Sequence, residues 1–378
     1  MKKALVITSV ASMVDQFLLP SIDLLQSMGF EVHVACNFER GSSCSNERIA
    51  ILKRKLEESN VVCCQIDFAR SIMSFRNNIR AYNQVKCLFQ NNEYRIVHCH
   101  SPIGGVVTRL ACKKARKQGT KIIYTAHGFH FYKGAPLKNW ILFYTVEKYC
   151  AKFTDVLITI NKEDFERAKK KFKAKSVEYI PGVGIDVDKF ANVVVDVEKK
   201  REEIGVSKDS FLLLSVGELN KNKNHETVIR SIAEMGDPRI HYAIAGRGDL
   251  QEHLLNVADE LGIGDRVHLL GFRSDVAELY KAADAFIHPS FREGLPVSIM
   301  EAMASGLPVI ASDIRGNVDL VDDESGLLFC ASSIEDCKTS IIRLMEKNAD
   351  MVRKHNLIKS SAFSFVDINS KLKAIYDI

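Results

Sequence analysis

No Cys-x-x-Cys occurs in the 378 residues, although the chain holds ten cysteines. Several of those cysteines lie inside apolar runs (Cys36, Cys63, Cys99), Cys63 and Cys64 are adjacent, and His98-Cys99-His100 alternate along one segment. Zinc sites and disulfide frameworks need paired spacings, so the cysteines read as reduced, largely buried thiols and no metal is expected. No stretch reaches the ~20 apolar residues of a bilayer span. The N-terminal apolar run after Lys2-Lys3 is shorter than a signal-peptide core of roughly 7 to 15 residues, so a cytoplasmic protein is expected. Eight prolines leave little room for a disordered tail. No Gly-x-Gly-x-x-Gly follows the first apolar run, which argues against a nucleotide-dependent dehydrogenase. Short-period repeats and low-complexity segments are lacking as well.

What is present describes a folded globular chain. Hydrophobic residues make up 46% and charged residues 26%, ordinary proportions for a soluble core and surface. The length suits two domains of roughly 180 residues. The net charge of +5 is a difference between unlike halves: residues 1–180 carry +14 and the remainder −9. A basic half meets an anionic partner, and charge alone leaves a phosphate-bearing substrate, a nucleic acid or an acidic membrane face open. Each cluster, Lys113 to Lys117 or Lys169 to Lys171, reads equally as a solvated helix face.

Apolar runs alternate with helical periodicity through the first half. Strands are expected near Ala4 to Ser9, Glu31 to Cys36, Val61 to Asp67, Ile96 to His100, Lys121 to Ala126, Val156 to Ile160 and Val177 to Ile180. Runs apolar on consecutive residues suit strands covered on both faces, hence a parallel sheet between helices. The alternation pauses at Pro181-Gly-Val-Gly-Ile-Asp186. It restarts at Phe211 to Gly217 and continues near His241 to Gly246, Val267 to Gly271, Ala285 to Ser290, Pro308 to Ser312 and Gly326 to Phe329. Two doubly wound α/β domains facing across a cleft are expected, divided as 1–180 and 181–361, with ligands at the carboxyl ends of the strands.

The chemistry concentrates after three strands of the second half. Following Ala285 to Ser290, Glu293 stands in a loop, Pro296 opens a helix, and Glu301 falls about five residues into it. Backbone amides of Gly294, Leu295 and the helix start suit an anion, and the two carboxylates suit hydroxyls. Gly217 turns the chain before Lys221 and Lys223 at the start of the next helix. Gly246-Arg247-Gly248 permits close ligand approach. Three neighbouring strand ends with glycine or charge describe one nucleotide-binding face, whereas Glu293 and Glu301 alone would read as ordinary helix charges.

In "FREGLPVSIMEAMASGLPVIAS", "SVGELNKNKNHETVI", "AIAGRGDL" and "VHLLGFRSDVAELYKAADAFIHPS", the chain resembles the retaining glycosyltransferases of family 4, which have the GT-B architecture of two Rossmann-like domains. "FLLPSIDLLQSMGFEVHVAC" and "TAHGFHFYKG" are similar to the branch that builds bacterial capsule and exopolysaccharide. The resemblance implies transfer from a nucleotide-diphosphate sugar, expected to be a UDP-sugar, to a hydroxyl of a polyprenyl-diphosphate-linked glycan at the inner face of an anionic membrane. It implies no cofactor, no metal and no nucleic-acid partner. It implies that Glu301 holds the ribose hydroxyls, Glu293 the sugar hydroxyls and Lys223 the diphosphate, while His127 reaches the transferred sugar in a role other than general base. It also implies that the C-terminal helix, residues 362–378 with apolar positions at Phe365, Ile368, Leu372 and Ile375, crosses back to the first domain.

Two positions depart from that family. Glu218 stands where arginine is usual, leaving Lys221 or Arg247 to supply the missing positive contact, and the loop Ser9 to Asp15 lacks paired glycines, which turns Asp15 and Gln16 toward the acceptor. His98 and His100 are assigned to opposite faces of their strand, in the core or at an edge, with a place facing the cleft left open for His100. Asn161 is read as a helix N-cap, and Phe129, Phe131, Tyr132 and Trp140 as either an acceptor loop or packing. A sugar-nucleotide epimerase of the same fold and a non-catalytic sugar-nucleotide binder remain as alternatives.

Overall fold

A computed structural model of the chain describes residues 2–40, 44–69, 71 and 74–377. The expected apolar runs form parallel strands, and the chain divides into two compact units, residues 1–184 with 366–378, and residues 185–365. In the first unit the strands are β1 (Lys2–Val10), β2 (Phe30–Asn37), β3 (Val62–Gln65), β4 (Tyr94–His100), β5 (Lys121–Ala126), β6 (Val156–Thr159) and β7 (Ser176–Tyr179). They lie in the order β3-β2-β1-β4-β5-β6-β7. The period of two explains the double cover: Ala4 and Val6 belong to one buried cluster, Leu5 and Ile7 to the other. Burying each such Leu or Ile side chain is worth roughly 1.5–3 kcal/mol.

In the second unit the strands are β8 (Phe211–Val216), β9 (Ile240–Ala245), β10 (Val267–Gly271), β11 (Ala285–His288), β12 (Val309–Ser312) and β13 (Gly326–Phe329). Their order is β10-β9-β8-β11-β12-β13. In each sheet the winding reverses direction beside the first strand, between β1 and β4 and between β8 and β11. Loops leave that point in opposite directions, which opens a crevice at the carboxyl ends.

The final helix (Phe365–Tyr376) is anchored in the first unit, where Ile368, Leu372 and Tyr376 join a core that includes Leu18, Ile22, Ile123 and Ile158. The expected Ile375 packs half-buried against the same core, and Tyr376 extends the buried stripe, because a spacing of four keeps Ile368, Leu372 and Tyr376 on one face. The two segments that pass between the units are tied within the second one: Ile185 donates to the Phe363 carbonyl at 2.9 Å and accepts from the Phe365 amide at 3.1 Å. All ten cysteines are free; Cys36, Cys99, Cys112, Cys150 and Cys337 are buried, while Cys87 and Cys330 are exposed. Among the described residues no helix is long and apolar enough to cross a membrane.

Candidate active site

The second unit assembles its site from the loops after β8 and β11, neighbours at the winding reversal. Lys223 Nζ lies 2.7 Å from Glu293 Oε1, and His288 Nε2 lies 3.0 Å from the same oxygen. Burial by itself would raise the Glu293 carboxyl, but the hydrogen bonds from His288 and Lys223 and the Lys223 charge outweigh it and hold the group well below the carboxylate range. Glu293 is therefore an ionised carboxylate fixed by two donors. The loop around it is braced from three sides. The Arg315 guanidinium donates to the Glu293 carbonyl at 3.0 and 3.2 Å. Asn222 donates through Nδ2 to the Arg292 carbonyl at 3.0 Å, and its own carbonyl accepts from the Phe291 amide at 2.8 Å. Asn224, in the left-handed conformation at φ 55°, donates to the carbonyls of Pro289 and Ala331.

Gly217, Gly294, Leu295 and Arg247 complete this face. The Lys223 side chain passes over Gly217, where a Cβ would stand 3.3 Å from Lys223 Cε. A Cβ on Gly246 would strike the Gly217 carbonyl oxygen, so only glycine lets the loop after β9 lie against the loop after β8. Backbone bonds from Gly217 to Ala245 and from Leu219 to Arg247, both 3.0 Å, hold that approach. Arg247 projects into solvent beside it. Glu218 accepts from Asn220 at 2.9 Å. Gly294 and Leu295 lead into the helix Val297–Ala304, which Pro296 opens without a side-chain cap, so its first amides are available to an acceptor.

Glu301 sits on that helix and is held differently. The Tyr280 hydroxyl donates to it at 3.1 Å. Burial raises its carboxyl to about 7, against the opposing effects of the Tyr280 hydrogen bond and the Lys189 charge. Near neutrality Glu301 is thus divided between acid and anion, ready to bond a hydroxyl. His288, Arg315, Asn222, Asn224 and Tyr280 were not legible as site residues. Only His288 carried a signal, its place at the end of an apolar run.

The first unit supplies imidazoles. Tyr376 Oη and Thr125 Oγ1 bond the two ring nitrogens of His98 at 2.6 and 2.7 Å. His100 Nδ1 lies 3.0 Å from His127 Nε2. The rings of His98 and His100 are 4.1 Å apart. They share one face, which corrects the expectation of opposite faces: residues two apart on a strand point the same way. Burial lowers His98 to about 3 and His127 to about 4, and His100 falls well below its ordinary value for the same reason, so all three are neutral near pH 7. Among the described residues His100 Nε2 has no hydrogen-bond partner, and the His100 side chain borders a cavity of about 30 Å³, lined also by Phe17, Ser21, His127, Val183 and Asn369, which is room for about one water-sized group.

Asn161 caps its helix, accepting from the Asp164 amide, while Asp164 accepts from the Phe129 amide at 2.8 Å and so fixes the turn after His127. Phe129 and Phe131 are buried and stacked at 4.7 Å; for these two, packing is the outcome. Asp15 is bonded by the Arg48 guanidinium at 2.9 and 3.1 Å. Among the described residues no three His, Cys, Asp or Glu side chains gather as a metal site.

Comparison with known proteins places the chain in a family. Residues 22–189 match the family Glycosyltransferase Family 4, and residues 196–361 match Glycosyl transferases group 1. A protein of Bacillus subtilis (strain 168) named "Putative glycosyltransferase EpsD" is 38% identical over 86% of this chain and 83% of its own. The Escherichia coli UDP-Gal:alpha-D-GlcNAc-diphosphoundecaprenol alpha-1,3-galactosyltransferase is 31% identical over 76% of each chain. The crystal structure of Anabaena Alr3699/HepE in complex with UDP superimposes with a TM-score of 0.78 over 99% of each chain at 20% identity, a likeness of fold. The chain belongs to the GT-B glycosyltransferases of family 4. It is an enzyme of glycosyl transfer, and the relatives lend the epimerase alternative no support.

Proposed function

We propose that the chain moves a sugar from a nucleotide-diphosphate sugar, a UDP-sugar, to a hydroxyl of a polyprenyl-diphosphate-linked glycan, with retention of configuration and without a metal ion. The observation that carries this reading is the cluster of Lys223, Glu293 and His288 beside an uncapped helix N-terminus. Lys223 donates one proton to Glu293 and has two further donors for phosphate oxygens. With the amides at the helix start, it stabilises the negative charge that grows on the diphosphate as the glycosidic bond breaks. Glu293, ionised and braced, accepts from the sugar's hydroxyls. Glu301 accepts from the ribose, and Arg247 supplies the positive contact absent at Glu218.

His127, neutral and tethered through His100, donates to or accepts from a hydroxyl of the transferred sugar without taking its proton. A phosphate oxygen of the donor serves as base toward the incoming hydroxyl on the retained face. The relative named for transfer onto a diphosphoundecaprenol supports a lipid-linked acceptor. The +14 charge of residues 1–180 supports peripheral attachment to an anionic cytoplasmic leaflet.

Incubation of the purified protein with a panel of nucleotide sugars tests the donor: one should raise the melting temperature by mass action. Nucleoside diphosphate should then be released only when a lipid-diphosphate glycan is supplied, and the anomeric coupling in the product's NMR spectrum should match the donor's. Release at the same rate without acceptor, or an inverted anomer, overturns the reading. So does turnover abolished by chelator and restored by Mg²⁺, for its metal-independent part.

A further inference from the structure

A charge of +14 spread over 180 residues names no contact surface, but one helical segment of the first unit does. Residues 137–150 run continuously as Leu137–Asn139, Trp140–Tyr144 and Thr145–Cys150. Their inner face is satisfied: Trp140, Phe143 and Tyr144 pack on the buried cluster that contains Phe131. Glu147, the only carboxylate between residues 128 and 154, also turns inward, bonded by Arg109 at 2.8 Å and Tyr124 at 3.1 Å.

The outer face is unusual. Leu137 is 74% exposed, Ile141 67%, Leu142 44% and Tyr149 49%, spaced so that helical periodicity puts them on one side. Lys138 and Lys148 are exposed among them, and Lys133 and Lys152 flank the segment. Lys113, from another helix, lies 3.9 Å over the Phe153 ring and 5.4 Å from that of Tyr149. An ordinary surface helix turns charges of both signs outward and its apolar stripe inward. Here the outward face combines bare aliphatic side chains with positive charge alone. That combination matches a partner that is anionic at its surface and apolar just beneath, which is the build of a bilayer leaflet.

We propose that this face docks the enzyme on an anionic membrane, with Leu137, Ile141 and Leu142 entering the boundary between headgroups and acyl chains and the lysines on lipid phosphates. The inference rests on the lipid-linked acceptor proposed above and names the element that brings the enzyme to it. Trp140, the one tryptophan of the chain, lies in the segment and reports on it directly. The full chain is mixed with phosphatidylcholine vesicles carrying a dansyl lipid, with and without phosphatidylglycerol. Energy transfer from Trp140 should appear only with the anionic lipid.

Leu137→Glu with Ile141→Glu should weaken binding at least about tenfold, through lost insertion and added repulsion. Lys138→Gln and Lys148→Gln should each weaken it about fivefold at low salt, and together flatten the salt dependence. Leu137→Ser with Ile141→Ser repeats the first arm should the glutamate variant melt early. Parent-like binding by either well-folded apolar variant overturns the docking face while leaving peripheral attachment standing. No binding of the parent to anionic vesicles removes both. Sedimentation showing a self-associated parent that the same substitutions make monomeric assigns the face to a second copy and overturns the membrane reading.

Discussion

The two units use burial for opposite ends. In the first, it keeps His98, His100 and His127 uncharged, because each imidazole loses water and gains only neutral partners. In the second, Glu293 is also largely removed from water yet stays ionised, because Lys223 and His288 converge on one of its oxygens. The difference is a matter of partners rather than depth: an isolated buried group gives up its charge, whereas a group with compensating donors keeps it. On the proposed reading, the first unit offers hydrogen bonds to neutral hydroxyls and the second offers fixed charge to a diphosphate sugar.

Breaking the charged cluster should have the largest effect. Lys223→Ala and Glu293→Gln should each lower kcat by roughly 10²–10³. Lys223→Ala should also lower the melting temperature, since Glu293 is left with a neutral imidazole alone, and so should Glu293→Gln, which strands the Lys223 ammonium and removes a carboxylate that the fold holds ionised. Near-parental kcat for both variants would remove this cluster from the chemistry. On the neutral side the contrast is milder. His127→Ala should cost about tenfold in kcat/KM, the worth of about one hydrogen bond, and the activity that remains should keep the parent's profile between pH 6 and 8 because burial holds the His127 imidazole neutral throughout that range. A lost acidic limb in that range would make His127 a proton acceptor and undo the comparison.

The smallest effect is on pH dependence. The imidazoles have folded values below their ordinary 6.5, so the first unit loses stability as pH falls below about 6.5. Glu301 runs the other way. Its folded value of about 7 exceeds the ordinary 4.5, so the folded state binds the extra proton, and that contribution is present at low pH and lost as pH rises from 4.5 through 7. Glu301→Gln should therefore raise the melting temperature relative to the parent progressively above pH 5, and should flatten the change in UDP affinity between pH 6 and 8. A constant difference between variant and parent across that range contradicts the assignment of Glu301 as the titrating group.

Much of this was visible before any coordinates. The runs at Ala4 to Ser9, Phe211 to Gly217 and Ala285 to Ser290 are apolar on consecutive residues, and only a strand covered on both faces wants that pattern. The site's frame was visible for a related reason: Gly217, Gly246 and Pro296 are backbone instructions, and Glu293, Lys223 and Glu301 stand at fixed offsets from them. The braces were not visible, since Arg315, Asn222 and Tyr280 reach their partners from distant positions in the chain. The face shared by His98 and His100 was misassigned although their spacing alone carried it.

Local sequence thus determined where strands, turns and helix starts fall, because periodicity, glycine and proline act on the nearest few residues. Tertiary structure alone decided which charges survive. A carboxylate seventy residues from its lysine acquires its ionisation, and an imidazole its neutrality, only from the water that folding removes and the neighbours that folding brings.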